Sequence, residues 1–154
     1  MLEAGVMAPE FSLKGVDGNM HTLHEFRGRV LVLYFYPRDN TPGCTIEAKE
    51  FTQSLPEIRE LGADVVGISD DDYDSHCKFR DKHGLKVLLL SDPDKATIKA
   101  YEAWGSKGIF GVGTLRKTFI IDQSGSIVKE YGKVNALGHA NEVIKFLKTI
   151  KGVE

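Results

Sequence analysis

The sequence predicts an α/β fold in which helices flank a mixed central sheet, within one domain that spans residues 1–154. Three observations predict it. A continuously apolar run rich in β-formers, Val30–Tyr36, is typical of a strand covered on both faces. Segments with helical spacing of apolar residues alternate with further strand-like runs. A hairpin in front of this run and two consecutive strand-like segments near the end indicate a sheet that is mixed and not purely parallel.

The first predicted element is this N-terminal β-hairpin. Phe11 and Leu13 alternate with polar neighbours, and the turn residues at 17–19, Asp-Gly-Asn, separate them from Met20–Leu23. The later strand candidates are again rich in aliphatic and β-branched residues. They are Val65–Ile68, Val87–Leu90, Thr118–Ile121 and Ile127–Tyr131.

Helices are predicted between the strands. After Cys44, apolar residues recur with helical spacing as far as Ile58. Pro56 lies inside this pattern and is expected to kink the helix or split it in two. Gly84 stands where a helix commonly ends. The remaining predicted helices are Tyr73–His83, Ala96–Tyr101 and Glu142–Ile150.

Composition and charge argue against several classes of function. The chain is 42% hydrophobic and 27% charged with a formal net charge of −2, which gives no electrostatic reason to expect nucleic acid or an anionic membrane as a partner. No stretch approaches the ~20 consecutive apolar residues that a membrane span requires. The N-terminal residues lack a basic start followed by an apolar run of signal-peptide length, so a cytoplasmic protein is expected.

One of only two cysteines, Cys44, lies where the buried strand gives way to a helix. Thr41 is a good N-cap and Pro42 a favoured first helical residue, so Cys44 falls in the first helical turn. Unpaired backbone N–H groups and the positive end of the helix dipole both favour thiolate over thiol there. Gly43 leaves the sulfur approachable. The alternative is a small apolar side chain near a helix start, but the position favours a reactive thiolate.

The spacing Pro37-x-x-x-Thr41-x-x-Cys44 resembles the active-site signature of the peroxiredoxins. The longer run YFYPRDNTPGCTIEA resembles the bacterioferritin-comigratory or Q-type subfamily. Similarity continues in GVMAPEFSL, GISDDD, LLSDPDK and RKTFIID, in that order along almost the whole chain. The resemblance implies a thioredoxin-like fold, with the hairpin as an N-terminal extension, and thiol-dependent reduction of hydrogen peroxide and organic hydroperoxides.

Carried over by position, the resemblance implies roles around the sulfur. Cys44 would be the peroxidatic nucleophile, Thr41 would hydrogen-bond the peroxide, and Pro37 would shield the thiolate from water. Arg116 would lie beside the sulfur, and Glu47 would orient it. The chemistry also favours such a cation, since attack on an O–O bond leaves charge on the departing oxygen. Without the motif, Arg116 would be interpreted as a solvated loop charge and Glu47 as an ordinary helix-face glutamate.

The oxidised cysteine, a sulfenic acid, must be returned to the thiol. One branch of the subfamily has a second cysteine five residues after the first, but that position is Lys49 here. Other members carry a resolving cysteine in the second helix, about one turn after Cys77 and near Arg80. Because Cys77 and position 80 share a helix face, a disulfide of Cys77 with Cys44 is expected, with the first turns of both helices unwinding to form it. The alternative is a Cys77 without a role, in an enzyme resolved by an external thiol.

No cofactor or metal is expected. Asp70, Asp72 and Asp74 have the spacing of an EF-hand loop, but Ser75 replaces its turn glycine and a strand precedes it, so helix capping explains the acidic run better. The five histidines show no metal-ligand spacing with the cysteines and are interpreted as surface or packing residues. The glycines of WGSKGIFGVGTLR lack the nucleotide-loop pattern and favour a mobile loop that carries Arg116.

Two other functions fit the sequence less well. A thiol–disulfide oxidoreductase normally needs Cys-x-x-Cys, and Glu47 occupies the second cysteine position. A non-catalytic interaction module would be expected to lose Thr41, Cys44 or Arg116, and all three are present. The resemblance implies thioredoxin or a similar dithiol as the reductant. Q-type members are often monomers, so a monomer is expected.

Overall fold

The structure is a computed structural model that describes residues 4–151, so both ends of the predicted domain, 1–3 and 152–154, lie outside the described residues. Its strands are β1 (Ser12–Gly15), β2 (Met20–Thr22), β3 (Val30–Phe35), β4 (Ala63–Ser69), β5 (Leu88–Ser91), β6 (Trp104–Ser106), β7 (Val112–Thr114), β8 (Lys117–Ile121) and β9 (Ile127–Tyr131). Seven of them form one mixed sheet in the order β2-β1-β5-β4-β3-β8-β9, and β6 pairs with β7 in a separate small sheet.

Helices cover both faces of the large sheet. Apolar side chains of α1, α2 and α4 belong to the core on one face, and Ile98 of α3 belongs to the core on the other. Within residues 4–151, no helix is long and apolar enough to cross a membrane. The helices are α1 (Pro42–Glu60), α2 (Tyr73–His83), α3 (Ala96–Ala100) and α4 (His139–Lys151), with short 3-10 helices at Leu23–Phe26 and Gly108–Phe110.

The strand β3 lies inside the sheet and leads directly toward the predicted signature. All six of its side chains are buried, as its uninterrupted apolar sequence predicts. It pairs in parallel with β4 and antiparallel with β8. The ring of Tyr34 lies over Gly67 of β4, where a β-carbon would come within 2.7 Å of it. The same ring stacks on Phe51 of α1 with 4.9 Å between ring centroids, so α1 packs directly on the strand that precedes it.

Much of the prediction is confirmed. The hairpin is present, with Leu13 of β1 opposite His21 of β2. Gly84 ends α2 in the left-handed conformation, at a φ of 62°, which glycine adopts without steric cost. The mixed sheet with helices on both faces matches the predicted fold class.

The structure narrows one helix prediction and moves the start of another helix. Of the two outcomes expected for Pro56, a kink or a split, the split does not occur, because α1 continues unbroken from Pro42 to Glu60. Because Pro56 is exposed, the backbone carbonyl that loses its N–H partner is placed where water can reach it. The last helix begins at His139 instead of the predicted Glu142. His139 is buried and its ring contacts Glu142 Oε1 and Thr118 Oγ1, both at 2.8 Å, which holds the first turn against β8.

The glycine-rich segment ahead of Arg116 has regular structure where the sequence predicted a loop. It forms a small hairpin in which Trp104 lies opposite Thr114 and Ser106 lies opposite Val112. Strands of three residues that contain glycine carry too little apolar alternation to be recognised from the sequence.

Candidate active site

The connection between β3 and α1 carries the predicted signature. The strand ends at Phe35, and the chain passes through residues 37–41 before α1 begins at Pro42 with Thr41 as its N-cap. Cys44 therefore lies in the first turn, as predicted, and is only 1% exposed. Its sulfur is near the positive end of the helix dipole, where negative charge is stabilised.

Arg116 brings a positive charge to this sulfur. It lies between β7 and β8, and β8 is paired with β3. Its Nη2 donates to Cys44 Sγ at 3.4 Å, and its Nη1 donates to Glu47 Oε1 at 2.7 Å. One planar guanidinium thus holds a carboxylate with one nitrogen and points the other at the sulfur. The structure brings together three residues that the resemblance implied as neighbours.

Burial and neighbouring charges shift the pKa values of Glu47 and Arg116 in opposite directions. Burial raises the pKa of Glu47 to about 7, although the Arg116 guanidinium opposes that shift. Among the described residues, Glu47 Oε2 has no hydrogen-bond partner. Burial would lower the pKa of Arg116, but the neighbouring Cys44 and Glu47 outweigh it and raise that pKa. The guanidinium therefore stays charged beside the sulfur throughout the physiological pH range.

Thr41 occupies the N-cap position, but its side chain makes no capping bond. Its hydroxyl donates instead to the carbonyl oxygen of Arg38 at 2.8 Å. Because the hydroxyl proton is used in this bond, the Thr41 oxygen is left as an acceptor for an incoming O–H group. Pro37 is half-buried at the start of the same connection. It lines a cleft of about 430 Å³ together with residues that include Trp104 and Thr114.

Cys77 is half-buried in α2 and is a free thiol, as is Cys44. Both cysteines pack against the core on the same face of the sheet. The Cys77 sulfur contacts the carbonyl oxygen of Val16 at 3.9 Å, and Arg80 Nη1 donates to that same oxygen at 3.1 Å. The side chains at 77 and 80 therefore do point in one direction, as predicted.

A buried polar cluster that the sequence analysis missed joins the 37–41 connection to α2. His76 is fully buried, and its Nδ1 lies 2.7 Å from Asp39 Oδ2. Asp71 accepts a hydrogen bond from the backbone N–H of Asp39 at 2.8 Å. The interpretation of His76 as a surface or packing residue does not describe this polar role. The signal in the sequence was its spacing. His76 precedes Phe79 by three residues, so both side chains lie on the inward face of α2.

These three side chains also have the spacing of metal ligands. Within residues 4–151, Asp39, Asp71 and His76 form the only group of three histidine, cysteine or acidic side chains whose ligand atoms all lie within 4.8 Å of one another. The 2.7 Å separation of Asp39 and His76 is that of a direct charge-assisted hydrogen bond. The aspartates at 70, 72 and 74 are not such a group. Asp72 caps α2 instead, by accepting from the Ser75 N–H at 2.8 Å.

Comparison with known proteins agrees with this geometry. The family model described as the AhpC/TSA family matches residues 4–130. Peroxiredoxin Bcp of Bacillus subtilis (strain 168) is 41% identical over 150 residues, which cover 96% of each chain. The PrxQ structure from Xylella fastidiosa has a TM-score of 0.94 at 34% identity, covering 97% of this chain and 98% of that chain. The bacterioferritin comigratory protein of Xanthomonas campestris has a TM-score of 0.90 at 35% identity, covering 97% of this chain and 99% of that chain.

The implied fold and activity class are confirmed together. The chain has a mixed sheet with helices on both faces, and its signature lies between β3 and α1. It is similar to peroxiredoxins over nearly its full length. The chain belongs to the AhpC/TSA family, among the peroxiredoxins related to Bcp and peroxiredoxin Q, and is a thiol-dependent peroxidase.

Proposed function

We propose that Cys44 is the nucleophile that reduces hydrogen peroxide and organic hydroperoxides, and that Arg116 stabilises both its thiolate and the departing oxygen. One observation carries the proposal: a single guanidinium contacts the buried Cys44 sulfur at 3.4 Å and Glu47 at 2.7 Å. These contacts would not be expected if Cys44 were an exposed cysteine or if Arg116 were an arginine without a partner. The related protein from Xanthomonas campestris is described by its alkyl peroxide reduction activity, which supports organic hydroperoxides as substrates.

In the first step, the Cys44 thiolate attacks the terminal oxygen of ROOH. A sulfur–oxygen bond forms, the O–O bond breaks, and the sulfur becomes a sulfenic acid that keeps the transferred OH. The alkoxide RO⁻ leaves with the electron pair of the O–O bond and takes a proton from water. Arg116 supplies fixed donors where this negative charge develops, which lowers the barrier most effectively in a site with little water.

Thr41 and Pro37 complete the substrate site in this proposal. The Thr41 oxygen accepts the O–H hydrogen bond of the bound peroxide, since its own proton is donated to the Arg38 carbonyl. This contact orients the terminal oxygen toward the sulfur. Pro37 has no backbone N–H and covers the thiolate with an apolar ring, which limits competing hydration.

In the second step, we infer that Cys77 resolves the sulfenic acid. The Cys77 thiolate attacks the Cys44 sulfur, a disulfide forms, and the hydroxyl leaves and is protonated to water. A dithiol such as thioredoxin then reduces this disulfide to the two thiols and is itself oxidised. Both cysteines pack on one face of the sheet, so the second step does not require either sulfur to cross it.

The second step requires movement of helix ends. Cys44 and Cys77 lie in different helices, and the Cys77 sulfur contacts the Val16 carbonyl in the described state. A disulfide needs Cα atoms within about 7 Å, so we infer that the first turns of α1 and α2 unwind after oxidation. Helix ends open at lower free energy than the core of a fold, which makes this local change feasible.

Single-turnover kinetics with thiol mapping test the proposal. Wild type, Cys44→Ser and Cys77→Ser are mixed with one equivalent of peroxide, and peroxide loss is followed by stopped flow. Cys44→Ser is expected to lose peroxide reduction entirely, whereas Cys77→Ser keeps the first step and stops as a sulfenic acid. Mass spectrometry of the wild type is expected to show a Cys44–Cys77 disulfide. Rapid turnover by Cys44→Ser would refute the nucleophile, and an unmodified Cys77 beside oxidised Cys44 would refute the resolving role.

A further inference from the structure

The ring of His76 is surrounded by hydrogen-bond acceptors. Its relative exposure is 0%, and its Nε2 lies 2.9 Å from the carbonyl oxygen of Leu90 in β5. A carbonyl oxygen only accepts, so Nε2 must carry a proton. The other ring nitrogen, Nδ1, lies 2.7 Å from Asp39 Oδ2.

Donors converge on the Asp39 carboxyl group. The Tyr36 hydroxyl donates to Oδ1 at 2.6 Å, and the Ser75 hydroxyl donates to Oδ2 at 2.7 Å. Burial raises the pKa of Tyr36 well above its ordinary value, so this phenol stays a neutral donor. Both Asp39 oxygens therefore accept hydrogen bonds, as the two oxygens of a carboxylate do. An Asp39 carboxylate facing Nδ1 requires a proton on that nitrogen too, so His76 is an imidazolium.

This charged pair joins two segments that the proposed mechanism uses separately. Asp39 lies in the 37–41 connection that ends at Thr41, and His76 directly precedes Cys77 in α2. Asp71 adds a second link, since it accepts from the backbone N–H of Asp39 at 2.8 Å and from the Ser69 hydroxyl at 2.7 Å. Asp39, Asp71 and His76, here termed the latch, therefore hold the active-site connection against the first turn of α2.

We propose that charged His76 latches the 37–41 connection to the first turn of α2, and that loss of its proton releases Cys77 for disulfide formation. The proposal rests on the proposed function, in which Cys77 resolves oxidised Cys44. It makes His76 a positioning residue: it touches neither peroxide nor sulfur in the described state, and acts through the segments that carry them. The reaction that it controls forms the S–S bond and releases the sulfenic hydroxyl as water.

The direction of the pH effect follows from the groups that face His76. Burial alone would lower its pKa, but Asp39, the Leu90 carbonyl and Asp71 outweigh burial and raise that pKa above 6.5. Among residues 4–151, the Tyr36 hydroxyl is the remaining titratable group in contact with His76, at 3.4 Å. A raised pKa means that the latch has its full stability below pH 6.5 and loses it as pH rises through the pKa of the closed state. Between pH 6.5 and that pKa, the equilibrium constant for opening the latch rises by up to about tenfold for each pH unit.

The charged state is tested directly by NMR titration of the histidine ring nitrogens in the reduced protein, in wild type, Asp39→Asn and the control His24→Gln. His24 is exposed, so its replacement should leave the other histidine signals unchanged. We expect His76 to titrate above pH 6.5 in wild type and lower in Asp39→Asn, where an amide N–H can donate to a neutral ring. A His76 that is neutral at pH 6.5 in wild type would overturn the proposal. Binding of one Zn²⁺ that Asp39→Asn abolishes would also overturn it, since a metal would replace the proton.

The release of Cys77 is tested by the rate of disulfide formation after one equivalent of peroxide, measured by acid quench, alkylation and mass spectrometry. The Cys77 thiol is present in every variant, so the informative quantity is the ratio of the Asp39→Asn rate to the wild-type rate. We expect a ratio of about ten at pH 6.5 that falls toward one as pH rises through the pKa of His76. His76→Gln, which is neutral at every pH, should reproduce this trend. A disulfide whose rate ratio does not vary with pH would overturn the latch alone. A Cys77 that stays free in all variants would overturn the proposed resolving step with it.

Discussion

Gly43 and Arg116 are in near contact across the candidate active site. A β-carbon placed on Gly43 would lie 3.0 Å from Arg116 Nη2, the nitrogen that donates to the Cys44 sulfur. That separation is tighter than nine in ten β-carbon contacts, so the guanidinium would have to shift by a few tenths of an ångström to accommodate it. The glycine therefore leaves the guanidinium room to stay where it is.

We predict that Gly43→Ala displaces the guanidinium from the sulfur and slows peroxide reduction by about tenfold or more, with little change in stability. A small misplacement of an active-site group has a large kinetic cost. Stopped-flow measurement of the first turnover checks this. Gly28→Ala is the matched control: Gly28 has a φ of 89° with nothing within 4 Å of its β position. That variant should lose about 1 kcal/mol of stability at unchanged rate. Wild-type kinetics in Gly43→Ala would contradict the prediction.

Replacing Arg116 with lysine keeps the positive charge but removes the planar guanidinium with its two donor nitrogens. One ammonium group cannot hold Glu47 and the Cys44 sulfur in the geometry of the two guanidinium nitrogens. We predict a rate of peroxide reduction about 10²-fold below wild type, comparable to the loss of one oxyanion donor. Lys117→Gln, a change of the neighbouring cation, should leave the rate unaltered. Equal rates for Arg116→Lys and wild type would show that charge alone is sufficient.

The buried carboxyl group of Glu47 should make stability depend on pH. Burial raises its pKa to about 7, so the folded state binds this proton more tightly than the unfolded state. The unfolding free energy of wild type should therefore fall relative to Glu47→Gln as pH rises from about 4.5 to 7, by on the order of 3 kcal/mol. Urea unfolding at several pH values measures it. Glu60→Gln, at the exposed end of the same helix, should show the wild-type slope. Parallel curves for wild type and Glu47→Gln would contradict the raised pKa.

Thr41 offers a test of the substrate contact. Thr41→Ser keeps the hydroxyl that donates to the Arg38 carbonyl, whereas Thr41→Val keeps the shape and loses the acceptor. We predict a near-normal rate for the serine variant and a ten- to hundredfold loss for the valine variant, as expected for one hydrogen bond in a site with little water. Because the Thr41 side chain makes no capping bond, both variants should fold with near wild-type stability. Equal peroxide-reduction rates for the two variants would remove Thr41 from the substrate site.

The sequence predicted best the elements whose causes are local. Six successive buried side chains in β3 leave an unbroken apolar run, and Gly84 marks the end of α2 with a conformation that few other residues adopt. The position of Cys44 also follows from local signals, since Thr41 and Pro42 define where a helix starts. Those signals placed the sulfur in the first helical turn without any comparison to a family.

Local sequence signals could not predict the contacts between distant segments. Arg116 and Cys44 are 72 residues apart in the sequence, and their approach depends on the pairing of β8 with β3. Their association was implied only by the resemblance. Asp39 and His76 are 37 residues apart, and neither position looks unusual by itself. The contact between Asp39 and His76 depends on the β4–α2 connection, which brings α2 beside the end of β3.

The dependence of Arg116 on the pairing of β3 with β8 has a consequence during synthesis. A ribosome-bound chain that has released only its first hundred residues exposes Cys44 but has not yet made the strand that delivers the guanidinium. Such a nascent thiol lacks the cation that we propose activates it, and it should react with peroxide no faster than free cysteine. Reactivity of this sulfur would therefore report completion of the sheet, and immature copies would be protected from oxidative damage by being incompletely folded.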